Sequence, residues 1–295
     1  MNALLMFSGG IDSTVAAYEY LKNNPDKKLL MHHVILKNDT NRFLKEKEAT
    51  ENICNWFRKN NLNNFEIIYS VFDYGDIKNK IWDIEIMAFY IYIHLCNPKY
   101  SQLSHVLLPF YLNRDLRGKY KKFEAILNLV NFYKKIQVKF DYLFWGKAKR
   151  DVIVKLPSDL LKLTWYCRTP ENDRPCQKCY TCKEVTEASN FPLKVLCAGS
   201  KEVNGIYLKN GDKNGKPKYI KGDIEMSFLN FWIIQNLKTE IIYYYDHQKE
   251  NTFNPFFVKK WVGAEGLKPA PKIIFTDNPP HNPPSQTDEP LCGEE

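Results

Sequence analysis

Two clusters of residues have the types and spacing to do chemistry. The first is "SGGIDST", residues 8–14, which sets two glycines, the hydroxyls of Ser8 and Ser13, and the carboxyl of Asp12 directly after a hydrophobic hexapeptide. Gly9 and Gly10 let backbone N–H groups come close to an anion, the two serines can donate to it, and a helix starting there points its positive end at it. Asp12 can cap that helix or help hold Mg²⁺ beside phosphates. A Walker loop would continue with Lys and Ser or Thr after its last glycine; Ile11-Asp12-Ser13 follows instead, so this is not an ordinary grip on a γ-phosphate. The plain alternative is a glycine turn capped by Asp or Ser that binds nothing.

The second cluster is "CRTPENDRPCQKCYTC", which spaces Cys167, Cys176, Cys179 and Cys182 as C-x8-C-x2-C-x2-C. Four thiolates so spaced can close a tetrahedral Zn²⁺ site, and a closed site is structural. It would clip a loop with too few apolar residues to fold by packing alone. An iron–sulfur cluster is the rival occupant. Four free thiols with no metal is a weaker reading, since the two tight C-x2-C steps share a cysteine. Of the other four cysteines, Cys54 and Cys96 read as core residues of apolar helical faces, and Cys197 and Cys292 are left unassigned.

The elements that must position these clusters follow from periodicity. "NALLMF" reads as a buried strand, and "STVAAYEYLKNN" carries Val15, Tyr18 and Leu21 on one helical face. "KKLLMHHVIL" is a second strand. A second amphipathic helix contains Phe43, Ala49, Ile53 and Phe57, and "NFEIIYSVF" is a third strand. Alternating strands and helices argue for a parallel sheet with right-handed crossovers, whose ligands bind beyond the carboxyl ends of the strands. Residues 8–14 lie at that edge. Residues 77–97 and 123–133 are dense in apolar residues and helical, joined by a strand and a basic loop.

After residue 188 the character changes. "NG" pairs at 204–205, 210–211 and 214–215 separate short β-prone runs, the signature of an antiparallel module. Its Trp232, Tyr243 and Trp261 read as core aromatics. Residues 276–295 are rich in Pro and Asp/Glu and poor in apolar residues, which predicts disorder. The expected organisation is therefore 1–189, with the metal site at 167–182, then a β module over 190–275 and a tail over 276–295.

Composition narrows the class. The chain has 295 residues and a net charge of +8, although its last twenty residues carry five acids and no Lys or Arg. A basic body suits nucleotides or RNA, and a Lys-rich composition explains it as simply. No stretch reads as a signal peptide, and the longest apolar run, 84–96, is too short for a bilayer and contains Glu85 and His94. A soluble cytoplasmic protein that engages no membrane is the expectation.

The fingerprint S-G-G-x-D-S resembles the pyrophosphate loop (PP-loop) of adenylating ATPases, which cleave ATP between the α and β phosphates. Taken with "LLMHHVILKNDTNRFLKEKEATENI", "LPSDLLKLTWYC" and the cysteine cluster, it resembles the 7-cyano-7-deazaguanine synthase (QueC) family over residues 1–188. The resemblance implies an α/β fold of the adenine nucleotide alpha hydrolase-like (HUP) type, a parallel twisted sheet with flanking helices, joined here to a small mainly antiparallel β domain. It implies a ligase that uses ATP and Mg²⁺, with structural Zn²⁺, to convert 7-carboxy-7-deazaguanine and ammonia into the nitrile through an acyl adenylate and an amide.

Carried onto this chain, Ser8, Gly9, Gly10, Asp12 and Ser13 would bind pyrophosphate and Mg²⁺, with Asp12, Ser13 and Lys149 in the catalytic set. Lys149, in "KAKRDVIVKLP", would neutralise developing phosphate charge, unless it is only a solvated lysine at a helix start. Adenine would lie along the end of the second strand, near Val34 to Asn38. Cys167, Cys176, Cys179 and Cys182 would hold the zinc. The family's Arg-Asn pair and its deazaguanine segment are absent, which leaves Arg114, Asp115 and Arg117 as the candidates to contact the substrate carboxylate. Nucleic acid is not required for such a reaction, and a homodimer is compatible with it. Thiolation of tRNA, an amide-forming deazaguanine ligase and a nucleotide-binding adaptor are the alternatives. The β module resembles one recurring in protist and large-virus proteins, so a virus-encoded chain acting in a host cytoplasm fits.

Overall fold

The first strand, β1 (Ala3–Met6), is buried along its whole length, as an uninterrupted apolar run at the centre of a parallel sheet requires. In the computed structural model it is the middle of five parallel strands in the order β3-β2-β1-β4-β5, with β2 Leu29–Lys37, β3 Phe65–Asp73, β4 His105–Leu108 and β5 Lys139–Tyr142. The structure describes residues 2–37, 42–73, 83–111, 121–128, 138–188, 192–249, 252, 254–258 and 260–275.

Helix α1 (Ile11–Asn23) follows β1 and α2 (Arg42–Lys59) follows β2. Helix α3 (Asp83–Cys96) and a helix described over 121–128, α4, cover the opposite face, where Leu4 and Met6 of β1 meet Ala88, Ile91 and Leu95 of α3 and Phe123 and Leu127 of α4. Successive strands run outward from β1 to β3 and the chain then returns to place β4 on the other side of β1. The reversal point of such a sheet is where a crevice opens beyond the strand ends. The expected α/β architecture is thus the observed one. The alternation of Leu4 and Met6 against Ala3 and Leu5 lets one short strand serve both layers.

Two short helices, α5 (Lys149–Ile153) and α6 (Ser158–Leu161), precede the cysteine-rich segment, and α7 (Tyr180–Ala188) ends it. By compactness the chain divides into Met1–Thr181 and Cys182–Glu295, a line that falls inside α7. The second unit contains an eight-stranded antiparallel sheet in the order β12-β11-β10-β9-β8-β7-β6-β13, from β6 (Leu193–Leu196) to β13 (Lys272–Phe275).

The three "NG" signals play three different parts. Asn214 and Gly215, both at positive φ (52° and 74°), form the turn of the β7–β8 hairpin, between β7 (Gly205–Lys213) and β8 (Lys216–Lys221). Asn210-Gly211 is not a turn: it lies within β7, where the register slips between Lys209 and Asp212 and Gly211 takes φ 74°. That is a bulge, the other use of a left-handed glycine in a hairpin. Asn204 precedes β7, and its side chain closes on the backbone N–H and C=O of Ala198. Trp232 and Trp261 are buried, whereas Tyr243 is only half-buried. Cys54 is buried in α2, but Cys96, expected in the core, is exposed because it is the last residue of α3. Among the described residues no helix is long and apolar enough to cross a membrane.

Candidate functional site

The turn after β1 is shaped by its own hydroxyls. Gly10 N–H donates to Ser8 Oγ at 3.3 Å, Ser8 N–H donates to Ser13 Oγ at 3.3 Å, and Ser13 Oγ donates to the Gly10 carbonyl at 3.1 Å. Thr14 Oγ1 donates to the same carbonyl at 2.8 Å. Gly10 is the N-cap of α1 and no side chain caps the helix, so Asp12, in its first turn, does not act as a cap. The N-terminal end of α1 therefore has no side-chain cap, and its positive end favours an anionic ligand there.

Both glycines are required by their neighbours. Gly9 has φ +72°, and a Cβ on it would stand 2.8 Å from the Glu46 carbonyl and from Thr50 Oγ1 of α2. A Cβ on Gly10 would meet Ser8 Oγ at 3.2 Å and the Trp165 carbonyl at 3.3 Å. The turn is thus wedged between α2 and the segment leading into the cysteines.

Asp12 gathers two residues from distant parts of the chain. Lys149 Nζ lies 2.6 Å from Asp12 Oδ1, and the Tyr111 hydroxyl donates to the same oxygen at 2.8 Å. Lys149 Nζ also sits 5.2 Å from the Tyr111 ring centroid. The Lys149 side chain is only 8% exposed, so the solvated-lysine reading fails. Tyr111 comes from the carboxyl end of β4 and Lys149 from the start of α5; both elements deliver their residues to the same edge as the glycine turn.

Behind the turn, Trp165 N–H donates to the Gly9 carbonyl at 2.9 Å, and Trp165 Nε1 donates to the Cys167 carbonyl at 2.9 Å. Asp83, at the start of α3, receives Arg42 of α2 at 2.5 Å and Arg168 at 3.3 Å. Arg42 Nε reaches Glu46 Oε1 at 3.5 Å. Burial raises the Glu46 carboxyl above its ordinary range; Arg42 opposes this, and Asp83 adds to it. These charges join α2, α3 and the cysteine segment at the edge where the turn lies.

The four cysteines are folded together. The Sγ atoms of Cys167, Cys176, Cys179 and Cys182 all lie within 4.8 Å of one another. Cys176 N–H donates to Cys167 Sγ at 3.2 Å and Cys179 N–H to Cys176 Sγ at 3.3 Å, while Thr169 Oγ1 is 3.2 Å from Cys176 Sγ. Gln177 turns through φ 61° between the second and third cysteines. Backbone donors on sulfur suit thiolates, and ligand bonds of about 2.3 Å around one tetrahedral ion put sulfurs about 3.8 Å apart. The donor set and its spacing fit a single metal ion, and all four positions of a tetrahedron would be filled.

The histidines beneath the sheet edge are structural. His33 Nδ1 is 2.8 Å from the Phe7 carbonyl, which can only accept, so Nδ1 carries the proton. Burial lowers the His33 pKa. His32 Nδ1 pairs with His94 Nε2 at 2.8 Å and its Nε2 with Ser70 Oγ at 2.8 Å. Burial, with His94 and His33 adding repulsion, pushes His32 down to about 3, and burial brings His94 to about 4.

Among the residues singled out from the sequence, Ser8, Gly9, Gly10, Asp12, Ser13 and Lys149 are brought together. Asn38, Arg114, Asp115 and Arg117 lie outside the described residues. Tyr111, Trp165 and the Arg42-Glu46-Asp83-Arg168 group were not anticipated. Tyr111 had a positional signal, three residues beyond a parallel strand, where ligand-facing residues of such sheets occur. The backbone role of Trp165 had none.

The family model for "Thiamine biosynthesis protein (ThiI)" matches residues 1–96, from β1 through the glycine turn to α3. Among solved structures, the U34-tRNA thiolase NcsA from Methanococcus maripaludis with its [4Fe-4S] cluster is similar at 14% identity and a TM-score of 0.37, over 64% of this chain and 65% of that one. The chain thus spans less than two thirds of the thiolase's length. No curated protein matches the chain.

Proposed function

We propose that the chain is an adenylating ligase that activates a carboxylate with ATP and then aminates it, acting on 7-carboxy-7-deazaguanine and ammonia. The observation that carries the reading is the meeting of Lys149 and Asp12 at the mouth of an uncapped glycine turn. A free carboxylate is a poor electrophile, so activation precedes amination. In the first step a substrate carboxylate oxygen attacks the α-phosphorus and pyrophosphate leaves. Ser8, Ser13 and the backbone N–H groups of the turn hold the departing pyrophosphate, and Lys149 supplies positive charge where negative charge develops. Ammonia then attacks the acyl carbon, loses a proton, and AMP leaves with the amide formed. A second ATP adenylates the amide oxygen, releasing pyrophosphate and one proton from nitrogen, and loss of AMP with the remaining nitrogen proton gives the nitrile.

Asp12 is the residue placed to hold Mg²⁺, which would neutralise phosphate charge when bound. The adenine would rest along the end of β2, near Val34. The four cysteines would hold Zn²⁺, which would supply a structural clip; with four thiolates no position stays open for substrate. Arg114, Asp115 and Arg117 are the proposed contacts of the substrate carboxylate.

A second reading, sulfur transfer, takes its support from the family-model match. It needs a thiolate or an open metal position to carry sulfur. The four clustered thiols would all be taken up by the metal, and Cys54 is buried with its thiol pushed up to about 12 by desolvation. The closed set favours amination. Mass spectrometry of the protein incubated with Mg-ATP, ammonia and 7-carboxy-7-deazaguanine tests the choice. Amide and nitrile products support it, and an unaltered substrate refutes it.

A further inference from the structure

The cysteine segment and the glycine turn are tied by one residue. Trp165 N–H donates to the Gly9 carbonyl at 2.9 Å, and its own carbonyl stands 3.3 Å from where a Gly10 Cβ would be. Its indole Nε1 donates to the carbonyl of Cys167, a metal-ligating candidate two residues on. A second tie runs in parallel, from Arg168 to Asp83, to Arg42, and on to Glu46, whose carbonyl lies 2.8 Å from where a Gly9 Cβ would be. Fixing Cys167 therefore fixes the two peptide groups that flank the turn.

We propose that Trp165 is a positioning residue that couples metal binding at the four cysteines to nucleotide binding at the turn, so that loading either site tightens the other. The inference rests on the reading of residues 8–13 as a nucleotide site. A metal ion orders the segment through Cys167. The ordered segment presents the Trp165 N–H to the Gly9 carbonyl, which fixes the peptide between Gly9 and Gly10 and with it the shape of the turn that receives phosphate. Without the ion, that ordering has to be supplied when the nucleotide binds, and affinity falls. Linkage makes the effect reciprocal: the factor by which metal tightens nucleotide equals the factor by which nucleotide tightens metal.

The test uses the full chain reconstituted with one Zn²⁺, with Mg-ATP as the nucleotide probe. Zinc affinity is measured by chelator competition with and without saturating Mg-ATP, and ATP affinity by calorimetry on zinc-loaded and zinc-depleted protein. The expected coupling factor is about fivefold or more in each direction. Trp165→Pro removes the backbone donor and should bring the factor to one. Should that variant not fold, Trp165→Phe, which keeps the N–H and the ring but loses the bond to Cys167, should cut the factor by at least half. Tight ATP binding with no coupling overturns the proposal and leaves the nucleotide site standing. A factor unchanged in Trp165→Phe also overturns it, because the linkage would then run through global folding. Absence of ATP binding by zinc-loaded protein overturns both readings.

Discussion

Lys149 Nζ and Asp12 Oδ1, 137 residues apart in the chain, stand 2.6 Å apart with the lysine almost wholly shielded from water. In the proposed adenylation a cation so placed beside the glycine turn would meet the charge that forms on the leaving phosphate. Lys149→Met should leave the fold intact and lower the rate of pyrophosphate release by about 10²- to 10³-fold, the range seen when one preorganised donor is removed from a reacting anion. Pyrophosphate release in single turnover, with circular dichroism as the folding control, measures it.

Gly9→Ala should fail for two reasons that add. The residue sits at φ +72°, and its new Cβ would stand 2.8 Å from the backbone oxygen of Glu46. Overpacking alone costs about 1–3 kcal/mol, and a left-handed conformation adds to it. Thermal unfolding should show the loss, and nucleotide binding should disappear even where the variant remains folded.

Tyr111→Phe isolates a hydrogen bond from the packing of its ring. The hydroxyl donates to Asp12 Oδ1 at 2.8 Å, and its loss leaves Lys149 paired to the same oxygen. Stability should change by only about 0.5–1.5 kcal/mol. Tighter or weaker Mg²⁺ dependence of turnover, measured by titrating Mg²⁺ at fixed ATP, would report that Asp12 has been reoriented; the expected direction is a higher Mg²⁺ requirement.

The buried histidines set an acid limit. The folded pKa values of His32 (about 3) and His94 (about 4) lie below the ordinary 6.5 of an unfolded histidine, and His33 is shifted the same way. The unfolded chain therefore binds more protons between these values, so stability is full above pH 6.5 and is lost as pH falls toward 4. Denaturant titrations at pH 7, 6 and 5 should show falling midpoints. In His94→Leu the slope against pH should be shallower, because one of the coupled rings has been removed.

The strand-helix alternation, the parallel sheet and the position of the glycine turn were all legible in the sequence, because a two-sided buried strand needs a continuous apolar run and amphipathic helices must cover it; the strand order about β1 was not. The cysteine set was legible for a similar reason: its members lie within one short segment, so chain connectivity alone brings them close. What could not be read were meetings between remote segments. Nothing near Trp165 announces that its backbone N–H faces Gly9, since a backbone donor leaves no mark on residue type. Tyr111 and Arg42 look like any aromatic or basic residue until the sheet places them. Asn210-Gly211 misled because the same dipeptide serves a turn and a bulge, and only the partner strand's register distinguishes them.

In the proposed reaction the turn at residues 8–13 clasps the β and γ phosphates of ATP while the α-phosphorus is handed to a substrate oxygen. Incubating the zinc-loaded protein with Mg-ATP, ammonia and 7-carboxy-7-deazaguanine, and resolving the nucleotide and phosphate products, tests it most directly. AMP and pyrophosphate are expected in equal amounts, and both should be lost in Asp12→Ala. ADP and orthophosphate in their place would contradict it.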